Sequence, residues 1–474
     1  MKKLILVTCM AALLAAPAMA QVDFSRYVAL GDSLTAGIAS ASYMDYYQQR
    51  AYPQLLATQA NGSFLQGPFI APPGLQPILV LNSLSPLSLG PTDMLPPTDP
   101  FEYFYNLTLE EPYQNLGISG ADTTDLLTKT GNALNLAAGN LDNVPYDMTL
   151  RIPQVPDPNT GELIDFTAMV AAISQQPTFL TVWIGSNDVL GAVLAATAID
   201  GITMTLVDQF TTDYAMLIGG LAQSLPNTDI VVMNIFGNAT WIPFTSTVPI
   251  STDIPGVGTV PFVGQDGPLE PGDYLTLPAS SLLAQGMGLP VPGSPPLPEN
   301  LDLATGAPGV ILRADEISTI NERIATLNGI IAATAAQFPN VHVFDINPTF
   351  TKLVNGEYRS FGGIELNTEF LTGGIFSYDG FHPQNVGQAV VAGELIDFIN
   401  AEFGADIPQL NMYDILFEGG WNAASPNAIC GGCDSKDIVF TEDAFMQLYR
   451  MMAPDLAALW EQHPRHLDQT SSAD

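Results

Sequence analysis

Positive charge is what this 474-residue chain lacks most. Lys and Arg together number 13 against 48 Asp and Glu, a formal charge of −35 at pH 7. Charged residues make up 13% of the chain, about half the roughly 25% of an average globular protein. There is no basic cluster that could follow a phosphate backbone. A chain this negative is repelled by nucleic acid and by anionic membrane surfaces. Two settings fit the imbalance: a saline habitat, where counterions screen the self-repulsion, or ordinary export. A melting temperature followed from low to molar salt separates them, since only the first makes stability depend on salt.

Histidine and cysteine are nearly as scarce. The four histidines are His342, His382, His463 and His466, so few side chains can serve as a general base at neutral pH. Of three cysteines, Cys9 lies in the N-terminal apolar segment and lacks a convincing lipobox. The other two, Cys430 and Cys433, form Cys-Gly-Gly-Cys. A local disulfide is the expected role in an oxidising compartment. A redox motif fits less well, because the pair is not set in a βαβ pattern. A zinc site with His463 and His466 is the weaker alternative, because that histidine spacing is shorter than the usual three to five intervening residues. No metal is expected. The Gly-x-Ser-x-Gly elbow of one large esterase fold is absent from the chain.

Long apolar runs are confined to the start. Lys2 and Lys3 precede an apolar stretch from Leu4 to Ala16, then Ala18-Met19-Ala20. That is the pattern of a secretory signal over residues 1–20 with an A-x-A cleavage site, and the mature chain is expected to begin at Gln21. No later stretch has the roughly 18 uninterrupted apolar residues of a membrane helix. The expectation is an exported protein, periplasmic or extracellular, with no stable membrane insertion. Oligomeric state is not readable.

Five short apolar runs read as buried strands: Tyr27 to Leu30, Tyr113 to Leu116, Phe179 to Ile184, Ile230 to Ile235 and Val341 to Ile346. Continuous apolar runs suit strands covered on both faces of a parallel sheet. Ile317, Ile320, Ile324, Leu327 and Ile331 recur at helical spacing. Val386, Val390, Leu395 and Ile399 do the same between Pro383 and Gly404. Strand–helix alternation predicts a three-layer α/β/α sandwich. The core domain is placed at residues 21–405, with inserts at about 60–112 and 236–308. Both inserts are rich in Pro and Gly yet carry many apolar side chains. Such lengths call for a folded subdomain or lid; the favoured expectation is a surface elaboration packed on a small core of its own. Residues 406–474 form a C-terminal extension, with a helix expected from Asp443 to Trp460.

Four segments carry chemistry. They are Gly31-Asp32-Ser33-Leu34 followed by Thr35 and Gly37; Asn115-Leu116-Gly117-Ile118-Ser119-Gly120; Gly185-Ser186-Asn187-Asp188; and Asp379-Gly380-Phe381-His382. A serine hydroxyl needs a neighbouring base to become a nucleophile. Ser33 follows a strand and opens a helix, so its oxygen falls at the carboxyl edge of the sheet, where such folds gather ligands; the competing role is a helix cap. Only His382 has a carboxylate three residues earlier, and Asp379 could fix its tautomer. His342 reads as a satisfied core histidine. Asp379 could instead be a turn or cap residue, Gly120 a tight turn, and Asn187 an Asx turn.

The ordered set resembles the SGNH (GDSL-type) hydrolase family, in pieces from Tyr27 to about Phe403. The resemblance implies a flavodoxin-like five-stranded parallel sheet, a Ser33–His382–Asp379 triad, and an oxyanion hole made by the backbone N–H groups of Ser33 and Gly120 with the side-chain amide of Asn187. Alignment with the family block favours Gly120 over Gly117. Asp32 and Asp188 are assigned to shaping the turns. It implies an ester hydrolase, lipase-like or esterase-like, working through an acyl-enzyme on a small-molecule or lipid ester, with no cofactor. The alternatives are a polysaccharide O-acetylesterase or an acyltransferase using the same residues. A different class is a non-catalytic binding or surface protein on a hydrolase scaffold. An appended membrane barrel is disfavoured, because fewer than a hundred residues follow His382 and they lack strand alternation.

Overall fold

The computed structural model describes residues 22–84, 87–98, 100–158, 160–417 and 438–462. Residues 1–21, Cys430, Cys433, His463 and His466 lie outside the described residues, and with them the signal, disulfide and zinc readings.

Five parallel strands form the central sheet: β1 (Tyr27–Gly31), β2 (Asn115–Gly117), β3 (Phe179–Trp183), β4 (Asp229–Met233) and β5 (Val341–Phe344). Their spatial order is β5-β4-β3-β1-β2, with every pair parallel. All five residues of β1 and of β3 are buried, as the continuous apolar runs require. The register sets Gly31 beside both Gly117 and Trp183. The three turns that follow these residues therefore leave the same edge of the sheet side by side.

Helices cover both faces. α1 (Ser33–Ala36) is a single turn directly after β1, and α2 (Tyr52–Asn61) follows. α3 (Ala168–Ser174) precedes β3, α4 (Asn187–Leu194) follows it, and α5 (Val207–Ser224) leads to β4. α6 (Ala314–Ala335) precedes β5, and α7 (Asn385–Phe403) ends in Gly404 at φ 64. α2 packs on α7, whereas α5 packs on α3 and α6. The stripe read for α6 is buried from Ile317 to Ile331. Burying each such side chain contributes about 1.5–3 kcal/mol. α7 is buried far beyond its predicted stripe, with Val391, Ala392 and Ile396 also covered. α8 (Met412–Phe417) packs on α7, as α2 does.

The inserts have no core of their own. Leu79, Leu87 and Leu89 from the first, and Phe244, Leu275 and Leu297 from the second, join the same continuous buried cluster as the sheet. Arg313, the N-cap of α6, reaches back to the second insert and pairs with Asp273 at 2.7 Å and with Glu299, two buried acids.

The C-terminal extension is stitched into the first insert. Val439–Phe440 pairs in parallel with Leu87–Pro91, which pairs antiparallel with Leu79–Leu84. The single helix expected from Asp443 to Trp460 is two, α9 (Glu442–Met452) and α10 (Pro454–Glu461). The break falls at Ala453, φ −142 and ψ 61, because the residue before a proline is driven out of helical geometry. His342 also differs from expectation. It sits half-exposed on the edge strand β5, with Nδ1 2.9 Å from Glu402 Oε1, not within the core. Among the described residues no helix is long and apolar enough to cross a membrane.

Candidate active site

The three aligned turns and the Asp379–His382 loop meet over the carboxyl edge of the sheet. Ser33, Asn187 and His382 line one cleft of about 60 Å³, together with Leu34, Ser186, Leu190, Phe236, Ile242 and Phe381. Three of the four sequence blocks thus contribute to one cavity. Gly120, from the remaining block, does not line it but borders it through its neighbour. The Asn187 amide Nδ2 donates to the carbonyl of Ala121 at 2.7 Å.

Asp32, not Ser33, caps α1. Its Oδ1 accepts the Leu34 amide at 2.9 Å, which leaves the Ser33 hydroxyl to the cleft. The helix is one turn long, so it offers free amides more than a macrodipole. The turn is held from outside by two buried amides: Gln388 Nε2 donates to the Leu34 carbonyl at 3.1 Å, and Asn115 Nδ2 to the Thr35 carbonyl at 2.9 Å. Gly31 is obligatory, since a Cβ there would sit 2.3 Å from the Trp183 carbonyl.

His382 and Asp379 are both buried. Asp379 Oδ2 lies 2.8 Å from His382 Nδ1 and also accepts the Ala41 amide at 2.8 Å. Its Oδ1 accepts the amides of Phe381 and His382. The turn role and the orienting role, set against each other by the sequence, are filled by the same carboxylate. Burial pushes the Asp379 carboxyl up, but the His382 charge and the hydrogen bonds from His382 and Ala41 leave it below the ordinary range. With Nδ1 so engaged, Nε2 is the free ring atom; it is buried without a hydrogen-bond partner among the described residues. Gly380, at φ 81, makes the turn possible, because a Cβ would lie 2.7 Å from Leu277.

The choice between the two glycines acquires a physical basis. The Gly117 amide is spent on Asn115 Oδ1 at 2.9 Å, and a Cβ there would strike the Ala36 backbone at 2.2 Å. The Gly120 amide has no acceptor among the described residues. Gly120 takes φ 74, a left-handed backbone that suits glycine. The turn is anchored on one side by the Tyr43 hydroxyl, which accepts the Ser119 amide at 2.6 Å. On the other, Asp188 Oδ2 accepts the Thr123 amide at 3.1 Å and its hydroxyl at 2.8 Å.

Asp32 and Asp188 are buried carboxyls, and among the described residues Asp32 Oδ2 and Asp188 Oδ1 meet no hydrogen-bond partner of normal geometry. Burial, with the mutual charge of Asp188 adding to it, pushes Asp32 up to about 7. Burial and the charge of Asp122 push Asp188 up to about 7. They hold turns rather than face the cleft.

Sequence reasoning missed the apolar cleft wall of Leu190, Phe236, Ile242 and Phe381 and the supports Ala41, Tyr43 and Gln388. Gln388 carried a signal: a glutamine midway between Val386 and Val390 of the α7 stripe.

The model of the GDSL-like lipase/acylhydrolase family matches residues 27–395. Among solved structures, one described as that of a possible lipase from Chitinophaga pinensis DSM 2588 is 14% identical over 80% of this chain and 99% of that one. Its TM-score of 0.26 is too low to support any argument. No curated protein matches the chain.

Proposed function

This chain belongs to the GDSL-like lipase/acylhydrolase family, and from that premise we propose that it is an exported serine hydrolase that cleaves carboxylic esters through an acyl-enzyme. The observation that carries the reading is one cleft lined by both Ser33 and a buried His382 whose Nδ1 is tied to Asp379 and whose Nε2 has no hydrogen-bond partner among the described residues. A bound tautomer with one free basic nitrogen is what general-base activation of a serine needs.

In this mechanism His382 Nε2 takes the Ser33 proton as the hydroxyl attacks the acyl carbon. The tetrahedral oxyanion is met by the amides of Ser33 and Gly120 and by the second N–H of Asn187, donors fixed before the charge develops. His382 then protonates the departing alcohol. A water activated by the same imidazole releases the acid and restores Ser33.

The cleft wall favours an acyl chain over a sugar. Leu34, Leu190, Phe236, Ile242 and Phe381 present aliphatic and aromatic surface, which stabilises alkyl groups by burial. The reading is therefore esterase-like or lipase-like ahead of a deacetylase of polysaccharide. The test is hydrolysis of a chain-length series of p-nitrophenyl esters alongside acetylated xylan. Preference for butyrate or longer over acetate, with little release from xylan, is expected. Acetate release from xylan with no turnover of longer esters would favour the O-acetylesterase.

A further inference from the structure

We propose that Gln447, carried by the C-terminal extension, is a positioning residue for the Asp379–His382 pair and acts through Ala41; the inference rests on the triad reading above. Gln447 lies on α9, about forty residues past the end of the sheet domain, and is buried. Its Nε2 donates to the Ala41 carbonyl at 3.0 Å and to the Pro77 carbonyl at 2.6 Å. The Ala41 amide in turn donates to Asp379 Oδ2, the oxygen that holds His382 Nδ1. A continuous line of contacts thus runs from the extension to the imidazole.

Ala41 is not at rest in that position. It has φ 53, and Ser40 before it has φ 52, two successive non-glycine residues in the left-handed region. Such a backbone persists only where its surroundings hold it. The holds are visible on every side. Ser40 donates its amide to Ser377 Oγ at 2.7 Å, and its own Oγ accepts the Tyr378 amide at 3.3 Å. Asp379 grips the Ala41 amide, and Gln447 grips the Ala41 carbonyl. The carbonyl and the amide lie on either side of the Ala41 φ and ψ, so fixing one limits the other. Without Gln447 the Ala41 carbonyl is a buried acceptor with nothing to accept from, and the loop gains a reason to relax away from Asp379.

The rest of α9 is seated to hold Gln447 in register. Phe445 stacks on Phe244, which meets Phe381 edge-on, the residue before His382. Four residues after Gln447, the Met451 carbonyl lies 2.9 Å from where a Gly120 Cβ would be, and Ser119 Oγ donates to Met452 Sδ at 3.9 Å. One helix of the extension therefore reaches the general-base loop through Phe244 and Ala41 and meets the glycine turn directly. A sequence with the four blocks alone would lack this brace.

The test uses the full chain with four variants: Gln447→Ala, Gln447→Asn, Ala41→Gly, and Ala41→Gly with Gln447→Ala. Turnover of a p-nitrophenyl ester is read together with the proton resonance of the His382 Nδ1–H, below the melting temperature of each variant. Gln447→Ala lowers kcat by about 10- to 100-fold, as expected for a misplaced catalytic group, with KM within about twofold. The Nδ1–H resonance broadens or is lost. Gln447→Asn, one methylene shorter, keeps the polarity but reaches only one carbonyl, so it falls between. Ala41→Gly in the Gln447→Ala background recovers most of the lost kcat and the resonance, because glycine adopts φ 53 without a Cβ penalty. An unchanged kcat and resonance in Gln447→Ala overturns the proposal. So does a loss that the glycine leaves unrepaired. If the wild type itself turns over no ester, the ester reading falls, while the resonance still decides whether Gln447 orders the pair.

Discussion

Asp379 Oδ2 sits 2.8 Å from His382 Nδ1 with both side chains shut off from solvent. The carboxylate spends all its accepting capacity on defined donors: one imidazole and three backbone amides. It is therefore an orienting group locked in one direction, and its charge is retained by those bonds.

Replacing that carboxylate by an amide removes the lock. In Asp379→Asn the new N–H₂ can face Nδ1, which then must accept, and Nε2 carries the proton instead of taking one. The expected outcome is a kcat lowered by about 10⁴-fold at neutral pH with the fold retained. Steady-state kinetics and circular dichroism check it. A loss under about tenfold would contradict the orienting role.

Asp32 and Asp188 make stability fall as pH rises. Each folded carboxyl is raised to about 7, so between the ordinary carboxylate range and pH 7 the folded state keeps protons that the unfolded chain has released. The slope of stability against pH is then negative across that window and levels above it. Asp379 acts with the opposite sign: its lowered carboxyl contributes stability at neutral pH that is lost only in acid. Asp188→Asn keeps an acceptor for Thr123 and removes the ionisation. Its melting temperature exceeds the wild type at pH 8 by a few degrees, on the order of one kcal/mol, and the two converge toward pH 4. Calorimetry across that range is the check, and parallel curves would refute the assignment.

Asn187 and Gly120 are expected to act on turnover more than on binding. Asn187→Ala lowers kcat by about 10²–10³-fold with little change in KM, the cost of one oxyanion donor. Gly120→Ala does so by another route: φ 74 strains an alanine, and its Cβ would come 2.9 Å from the Met451 carbonyl. A purely structural role for Asn187 would lower the melting temperature and leave the kcat of the folded fraction intact.

Under the proposed function, the cleft wall is expected to set acyl preference. Ile242 and Leu190 are aliphatic groups on the lining. Ile242→Ala is expected to shift the optimum of a p-nitrophenyl ester series toward longer chains, changing the ratio of long to short kcat/KM by about 10-fold, the order of one or two methylenes of burial. An unshifted ratio would place the acyl chain elsewhere.

What the sequence disclosed followed from physical periodicity and from rare residues. β1 and β3 announced themselves because strands buried on both faces must be apolar without interruption. With four histidines in the chain, His382 stands out as the candidate base through its neighbour Asp379. The strand order also agrees with the flavodoxin-like sheet that the resemblance implies. The parts that stayed hidden depend on contacts across long sequence separations. Nothing local marks Ser40 and Ala41 for a left-handed backbone, since neither is glycine or asparagine. Nothing marks Gln447 as a partner of residue 41. The apolar residues of the inserts revealed burial but not against what, and they turned out to share the sheet's own core. His342 lies on a strand that is an edge, a fact set by the order of the strands and not by the residues around it.

The most direct measurement is covalent: incubation of the folded chain with a fluorophosphonate, followed by intact mass and peptide mapping. A single adduct on Ser33, absent in Ser33→Ala and strongly slowed in His382→Ala, is the predicted result. An active, folded preparation that takes no label at Ser33, or that labels equally well without His382, would contradict the account at its centre.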